Sequence, residues 1–182
     1  MDLIVVDAQN DFISGSLACK EADAAMEAIL QLIRSGNVDH VYYTADHHSP
    51  TNGSFRENGG IWPVHCVAGT HGAALWEGFS EAGAFAPKPE TTFLKGLRDD
   101  VEEYSAAAGK NNAGKALTEV ADDTVIVAGL ASEYCVRETV LDLVRAGKRV
   151  TFYLPGVGYV DREDHEKNIA DLRAKGIEIR EA

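Results

Sequence analysis

Apolar positions along the chain fall into short continuous runs separated by stretches whose apolar residues recur every three or four positions. Leu3–Val6 and Thr124–Ala128 are compact and β-branched, the pattern of strands covered on both faces. Val38–Ala45, Arg149–Leu154 and Ile177–Ile179 read as further strands. Between them, Met26, Ile29, Leu30 and Ile33 share one face of a helix over Ala22–Ile33, which Gly36 stops. Val136, Val140, Leu143 and Val144 stripe a second helix that begins near Ser132, a good N-cap, and ends at Gly147. Ile169 and Leu172 mark a third over Glu163–Lys175. Ala73–Phe79 and Ala113–Val120 suggest short helices and Gly83–Pro87 a short strand. Strands alternating with helices predict a three-layer α/β/α architecture with a central, mainly parallel sheet, and one domain over residues 1–182.

One stretch breaks this rhythm. From Ser49 to Gly72 the chain is rich in Pro, Gly, Asn and Ser and has neither period. A loop of that length inside a compact domain is usually functional. In open α/β sheets ligands bind beyond the carboxyl ends of the strands. Three chemistry-bearing segments follow predicted strands there: Asp7 after Leu3–Val6, Asp46-His47-His48 after Val38–Ala45, and Cys135 after Thr124–Ala128.

Composition narrows the partners. The chain has 182 residues, 29 acidic against 17 basic, for a net charge of −12. Nucleic acid and anionic membranes both require a basic surface, so neither is expected. No apolar run approaches the roughly 18 residues of a membrane span. Met1-Asp2-Leu3 runs straight into a strand, so no signal peptide is expected. Three widely spaced cysteines, Cys19, Cys66 and Cys135, do not make a disulfide framework and fit a reducing, cytoplasmic setting.

Each candidate residue has two readings when taken alone. Asp46 and His48, two apart in an extended segment, project to the same side and can share an ion with His65 from the long loop, with Glu57 as a further oxygen donor. They can equally cap and tether that loop. His40, His71 and His165 have no ligand-like partner and read as surface residues. Cys135 sits in the first turn of a helix, where unpaired N–H groups favour a thiolate; a free cysteine can also simply be a small buried hydrophobe. A thiol of ordinary pKa is only about 3% ionised at neutral pH, and a helix terminus alone does not supply the difference, so a base or cation is needed. Asp7 and Lys95 are the candidates, although a lysine is more commonly solvated. Phe12 and Trp62, in loops at strand ends, can sandwich a flat ring or pack in the core.

Taken in order, Asp7-Ala-Gln-Asn-Asp-Phe12, Asp46-His-His48, Trp62-Pro-Val-His-Cys66, Phe93-Leu-Lys-Gly96, Tyr104-Ser105 and Gly129-Leu-Ala-Ser-Glu-Tyr-Cys-Val136 resemble the nicotinamidase branch of the isochorismatase-like family of cysteine hydrolases. The resemblance implies metal-dependent hydrolysis of nicotinamide to nicotinic acid and ammonia in NAD salvage, with pyrazinamide as a further substrate. It implies a catalytic Asp7–Lys95–Cys135 triad, an oxyanion hole from the N–H groups of Ala131 and Cys135, and a cis peptide at Leu130–Ala131. It also implies a ring site formed by Phe12, Trp62 and Tyr104. One divalent ion would be held by Asp46, His48 and His65, with Glu57 or water completing the site; zinc is the first choice, and iron and manganese suit the same ligands. Where some members carry a further histidine this chain has Ser54, and where some carry histidine before the nucleophile it has Tyr134. A hydrolase for another amide, a non-catalytic metal or thiol domain, and a homo-oligomeric assembly remain open at this level.

Overall fold

A computed structural model describes residues 1–182. Six parallel strands form one sheet: β1 Asp2–Val6, β2 Val41–Asp46, β3 Thr92–Lys95, β4 Thr124–Gly129, β5 Arg149–Val157 and β6 Glu178–Arg180. Their spatial order is β3-β2-β1-β4-β5-β6. The order reverses between β1 and β4, where Ile4 pairs with Val127 and Val6 with Gly129. That reversal opens a crevice beyond the carboxyl ends of the two strands, the usual ligand position in such sheets.

Alternation along β1 explains the layering. Leu3 and Val5 join a core with Met26, Ile29, Leu30 and Ile33 of α2 (Ala22–Arg34), while α1 (Asn10–Ile13) is a single turn between them. Ile4 and Val6 point the other way, into a core with Val140 and Leu143 of α4 (Arg137–Arg145) and Leu172 of α5 (Arg162–Ala174). The sheet is therefore buried on both faces, as continuous apolar strands require. Each fully buried aliphatic side chain contributes about 1.5–3 kcal/mol, so α2 is held chiefly by its apolar face. No helix is long and apolar enough to cross a membrane.

Several local expectations change. Residues 73–76 are not helical: Gln9 and Leu75 form an antiparallel bridge, and the Trp76 N–H donates to the Ala8 carbonyl. Gly83–Pro87 is not a strand; most of it belongs to the tight 3₁₀ turns over Glu77–Phe85, broken at Gly83. Within Ala113–Val120 only α3 (Leu117–Val120) is helical. Lys110 bridges both Leu94 and Ala116, so this segment covers the edge of β3 instead of coiling. β2 starts at Val41, later than its apolar pattern suggests. β5 runs past Pro155 to Val157, because a register shift opposite Val127 and Gly129 accommodates the proline. Val144 lies on the solvent side of α4, leaving Val136, Val140 and Leu143 as the packed stripe.

Candidate active site and metal centre

Register brings the first pair together. Lys95 closes β3 opposite Asp46, which closes β2. Asp7 leaves β1 with φ 46°, a left-handed conformation that aspartate tolerates better than most residues and that often marks functional positions. Its amide N–H donates to Thr44 Oγ1 at 3.2 Å, and Thr44 Oγ1 in turn donates to Asp7 Oδ1 at 2.6 Å.

Lys95 is only 4% exposed, so the solvated reading does not hold. Its Nζ stands 2.8 Å from Asp7 Oδ2, 2.6 Å from Asp46 Oδ1 and 3.5 Å from Cys135 Sγ. Burial works against its charge, but Asp46 and Asp7 outweigh it and hold the ammonium well above the usual lysine range. Burial raises Asp7, with Lys95 opposing. Burial also holds the Cys135 thiol well above its ordinary value, again against Lys95. Helix position alone therefore does not offset the burial of the thiol, in keeping with the expectation that a base or cation is needed beside it.

That group of charges has a direct chemical meaning. Moving the proton from Cys135 to Asp7 exchanges one anion beside Lys95 for another. The net charge of the buried cluster is unchanged, so no further ion has to be desolvated. One oxygen or sulfur each from Asp7, Asp46 and Cys135 lie within 4.8 Å of one another, close enough for a short transfer.

A second cluster adjoins the first. Single ligand atoms of Asp46, His48 and His65, all buried, lie within 4.8 Å of one another. His48 Nδ1 is 2.8 Å from the Gly96 carbonyl oxygen and His65 Nδ1 is 2.8 Å from that of Pro63. A carbonyl only accepts, so each Nδ1 carries a proton and Nε2 is the nitrogen a neutral ring offers to an ion. In His48 burial opposes the charged form, but the facing Asp46 outweighs it and raises the ring above the ordinary histidine range. His48 Nε2 faces Asp46 Oδ2 at 3.5 Å. This two-imidazole, one-carboxylate donor set, oriented by backbone carbonyls, fits a divalent transition ion. Burial lowers His65, keeping it neutral as a ligand must be. Glu57 is not part of the cluster: it lies exposed on the turn Arg56–Asn58. The ring of Phe55 occupies the adjacent position, 5.5 Å from the His48 ring and 5.3 Å from that of His65. Gly96 makes the approach: at φ +66° its missing Cβ would come within 2.5 Å of the His48 ring.

Between the two clusters lies a largely apolar pocket lined by Phe12, Trp62, His65, Tyr104, Tyr134 and Cys135. Trp62 Nε1 donates to the Tyr104 hydroxyl at 3.0 Å, and the Trp62 and Tyr134 rings meet edge to face at 5.0 Å. Phe12 tilts against His65 at 5.4 Å. An aromatic lining of this kind has the chemistry to receive a flat ring.

The turn that carries Cys135 departs from a simple capped helix. Ala131 follows a cis Leu130–Ala131 peptide, and its N–H makes no hydrogen bond within the protein. Residues Ser132–Val136 form a wide turn in which the Val136 N–H reaches back to the Ala131 carbonyl. Ser132 does not cap it; its hydroxyl bonds His165 and Asn168 instead. His165 is correspondingly buried, not a surface residue. Gly129, at φ +122°, passes so close to Val6 that a Cβ would sit 2.0 Å from its carbonyl oxygen.

Sequence reasoning missed three supports. Gln9 clamps the backbone of Asp46, its Nε2 donating to the Asp46 carbonyl and its Oε1 accepting from the Asp46 N–H, both at 2.9 Å. Asp11 Oδ2 accepts from the Cys66 N–H at 2.8 Å and tethers the long loop. Thr44 shares its strand face with Asp46, a period-two signal that could have flagged it. Tyr134, set aside as a departure, lines the pocket.

A parallel α/β fold with a buried thiol–ammonium–carboxylate group at its switch point defines a hydrolase class. The chain matches the isochorismatase domain family over residues 2–182 and belongs to that family. It is 30% identical to the nicotinamidase/pyrazinamidase of Mycobacterium tuberculosis, over 97% of this chain and 96% of that protein. Its fold is similar to that of the pyrazinamidase of Pyrococcus horikoshii in complex with zinc, with TM-score 0.82, 31% identity and coverage of 100% and 98%. It is also similar to the yeast nicotinamidase Pnc1p bound to the inhibitor nicotinaldehyde, with TM-score 0.86, 27% identity and coverage of 100% and 99%.

Proposed function

We propose that this chain is a nicotinamidase that hydrolyses nicotinamide to nicotinic acid and ammonia through a thioester on Cys135, and that it also accepts pyrazinamide. The observation that carries this reading is Lys95 Nζ, ion-paired with Asp7 and Asp46 and facing Cys135 Sγ within one buried cluster. Residues 1–182 act as one catalytic domain.

The ring enters the slot between Phe12 and Trp62, with Tyr104 and Tyr134 closing its side. Asp7 takes the thiol proton and the sulfur attacks the carboxamide carbon. The oxygen that becomes negative is received by the N–H groups of Ala131 and Cys135, where one donor is typically worth about 3–4 kcal/mol. Asp7 returns the proton to the departing nitrogen, which leaves as ammonia. Asp7 then takes a proton from water, whose oxygen attacks the thioester carbon; nicotinic acid and the Cys135 thiolate are released, and Asp7 returns the proton to the sulfur. Lys95 stays protonated throughout and balances whichever neighbour is anionic.

Asp46, His48 Nε2 and His65 Nε2 would hold one divalent ion, zinc in the first instance, which supplies a Lewis-acid position for the pyridine nitrogen and so fixes the ring's orientation. The zinc in the similar Pyrococcus horikoshii structure supports that choice. All three cysteines are unpaired, which favours a reducing cytoplasm, and the product suits NAD salvage.

The test is ammonia release from nicotinamide by purified, zinc-loaded protein, with Cys135→Ala as the control. Turnover that disappears in the variant is expected. Absence of turnover in the unmodified protein, or full turnover in Cys135→Ala, would overturn the assignment.

A further inference from the structure

Ser132 lies one residue after Ala131 and three before Cys135, fully buried, and every polar group it has is spoken for from outside the turn. Its N–H donates to the Gly158 carbonyl at 2.8 Å. Its carbonyl accepts from Asn168 Nδ2 at 2.8 Å, and its Oγ lies 2.7 Å from His165 Nδ1 and 3.2 Å from Asn168 Nδ2. Asn168 and His165 both belong to α5, which contributes nothing to the pocket lining. Each is itself fixed. Asn168 Oδ1 accepts from Arg137 at 2.8 Å, and Arg137 reaches on to Asp171 at 2.7 Å. The His165 ring stacks on Tyr159 at 4.5 Å with 16° between planes. Next to Ser132, Glu133 Oε1 accepts from the N–H groups of Val160 and Asp161, at 2.7 Å each, tying the same turn to the start of α5.

Core packing alone does not require this. A buried serine surrounded by apolar residues would do with one acceptor, whereas here two α5 side chains satisfy both its hydroxyl and its carbonyl. The turn they hold is wide: the Tyr134 and Val136 N–H groups reach back to the Ala131 carbonyl and the Arg137 N–H to that of Ser132, while the N–H of Ala131 makes no hydrogen bond within the protein.

We infer that Asn168 and His165 are positioning residues, which act through Ser132 to aim the N–H groups of Ala131 and Cys135 at the developing oxyanion. The inference rests on the reading of Cys135 as nucleophile given above. Donors aimed at a transition-state charge lose most of their effect when displaced by a fraction of an ångström, while contacts to the bound ring are unaffected. The loss therefore falls on kcat rather than on KM.

Nicotinaldehyde separates the two. When the Cys135 sulfur adds to its carbonyl carbon, the C=O π pair moves to oxygen, and that oxygen occupies the oxyanion position as a tetrahedral thiohemiacetal. Nicotinate binds the same slot without forming it. In zinc-loaded protein, Asn168→Ala should lower kcat by about 10- to 100-fold with KM changed less than about threefold. It should weaken nicotinaldehyde by a similar factor and leave nicotinate affinity unchanged. Ser132→Ala, which removes only the hydroxyl and keeps the backbone bonds, should show the same pattern more mildly, with most of the lost kcat restored in Ser132→Thr. Should Asn168→Ala not fold, Ser132→Ala decides.

Folded variants with unchanged kcat, or with nicotinaldehyde and nicotinate weakened equally, would overturn the inference while leaving the nicotinamidase reading intact. An unmodified protein that neither turns over nicotinamide nor binds nicotinaldehyde would overturn both.

Discussion

Asp46 and Lys95 face each other across adjacent strand ends, and the Lys95 ammonium donates to Asp46 Oδ1 at 2.6 Å. The carboxylate–histidine cluster and the thiol–ammonium–carboxylate cluster therefore share one hydrogen bond. Asp46 has two oxygens and divides them: Oδ1 toward Lys95, Oδ2 toward His48 Nε2.

Lys95→Met should separate the two clusters. Without the ammonium, nothing balances the anion that passes between Cys135 and Asp7, and nicotinamide turnover should fall by at least about 10²-fold. Metal affinity should hold or rise, because a cation that repels a divalent ion has been removed from beside a ligand. Isothermal titration with zinc alongside an ammonia assay reads both; a variant that loses zinc together with activity would show that Lys95 props up the metal site instead.

Asp7→Asn should uncouple thiolate formation from catalysis. Burial is the largest influence raising Cys135, Lys95 opposes it, and the Asp7 charge adds to the rise. With Asp7 neutral and Lys95 retained, the thiol pKa falls and more thiolate is present at pH 7. Iodoacetamide should alkylate the variant faster than the unmodified enzyme, while hydrolysis drops by about 10²–10⁴-fold for want of a general base. Slower alkylation in Asp7→Asn would show that proton transfer to Asp7, and not relief of its charge, governs how much thiolate forms.

Gly96→Ala should damage the metal centre from outside it. A methyl at that position meets the His48 ring at 2.5 Å and forces a left-handed alanine at φ +66°. Such a backbone strain costs of order 1–3 kcal/mol. His48 must also leave the Gly96 carbonyl that fixes its tautomer, and losses of that kind typically cost about 10–100-fold in metal affinity. Zinc release measured with a chromogenic chelator should be faster by that order. Unaltered zinc retention would show that His48 can shift without consequence.

Much of the clustering was legible because the strongest sequence signals lead straight into the residues that the fold brings together. Leu3–Val6 and Thr124–Ala128 are the two strands at the switch point, so a residue just beyond either, Asp7 or Cys135, was placed by periodicity alone. The Asp46-x-His48 spacing needed only an extended backbone to put both side chains together. Lys95 was not readable as buried, since nothing local says that β3 pairs with β2 in the register that sets Lys95 opposite Asp46. Gln9, Thr44, Ser132 and His165 escaped for the same reason: each takes its role from a partner 33 or more positions away. Glu57 failed in the opposite direction, because loop sequence offers a carboxylate without saying that Phe55 fills the space beside the histidines.

Acid stability of the metal-free protein gives a last and independent check on the shared carboxylate. Burial pushes Asp46 upward, but Lys95 and His48 outweigh it and hold it below the usual aspartate range. A carboxylate whose folded pKa is depressed contributes stability that is complete above its unfolded value, about 3.9, and is lost as pH falls through the folded one. Asp7 acts in the opposite sense: burial raises it, folding favours its protonated form, and its contribution improves as pH falls. The acid loss should therefore trace to Asp46 and not to the cluster as a whole. Thermal midpoints of chelator-treated protein, followed downward from about pH 4, where His48 is already protonated, should decline less steeply in Asp46→Asn than in the unmodified chain. Parallel curves would mean that the Asp46–Lys95 bond does not stabilise the fold.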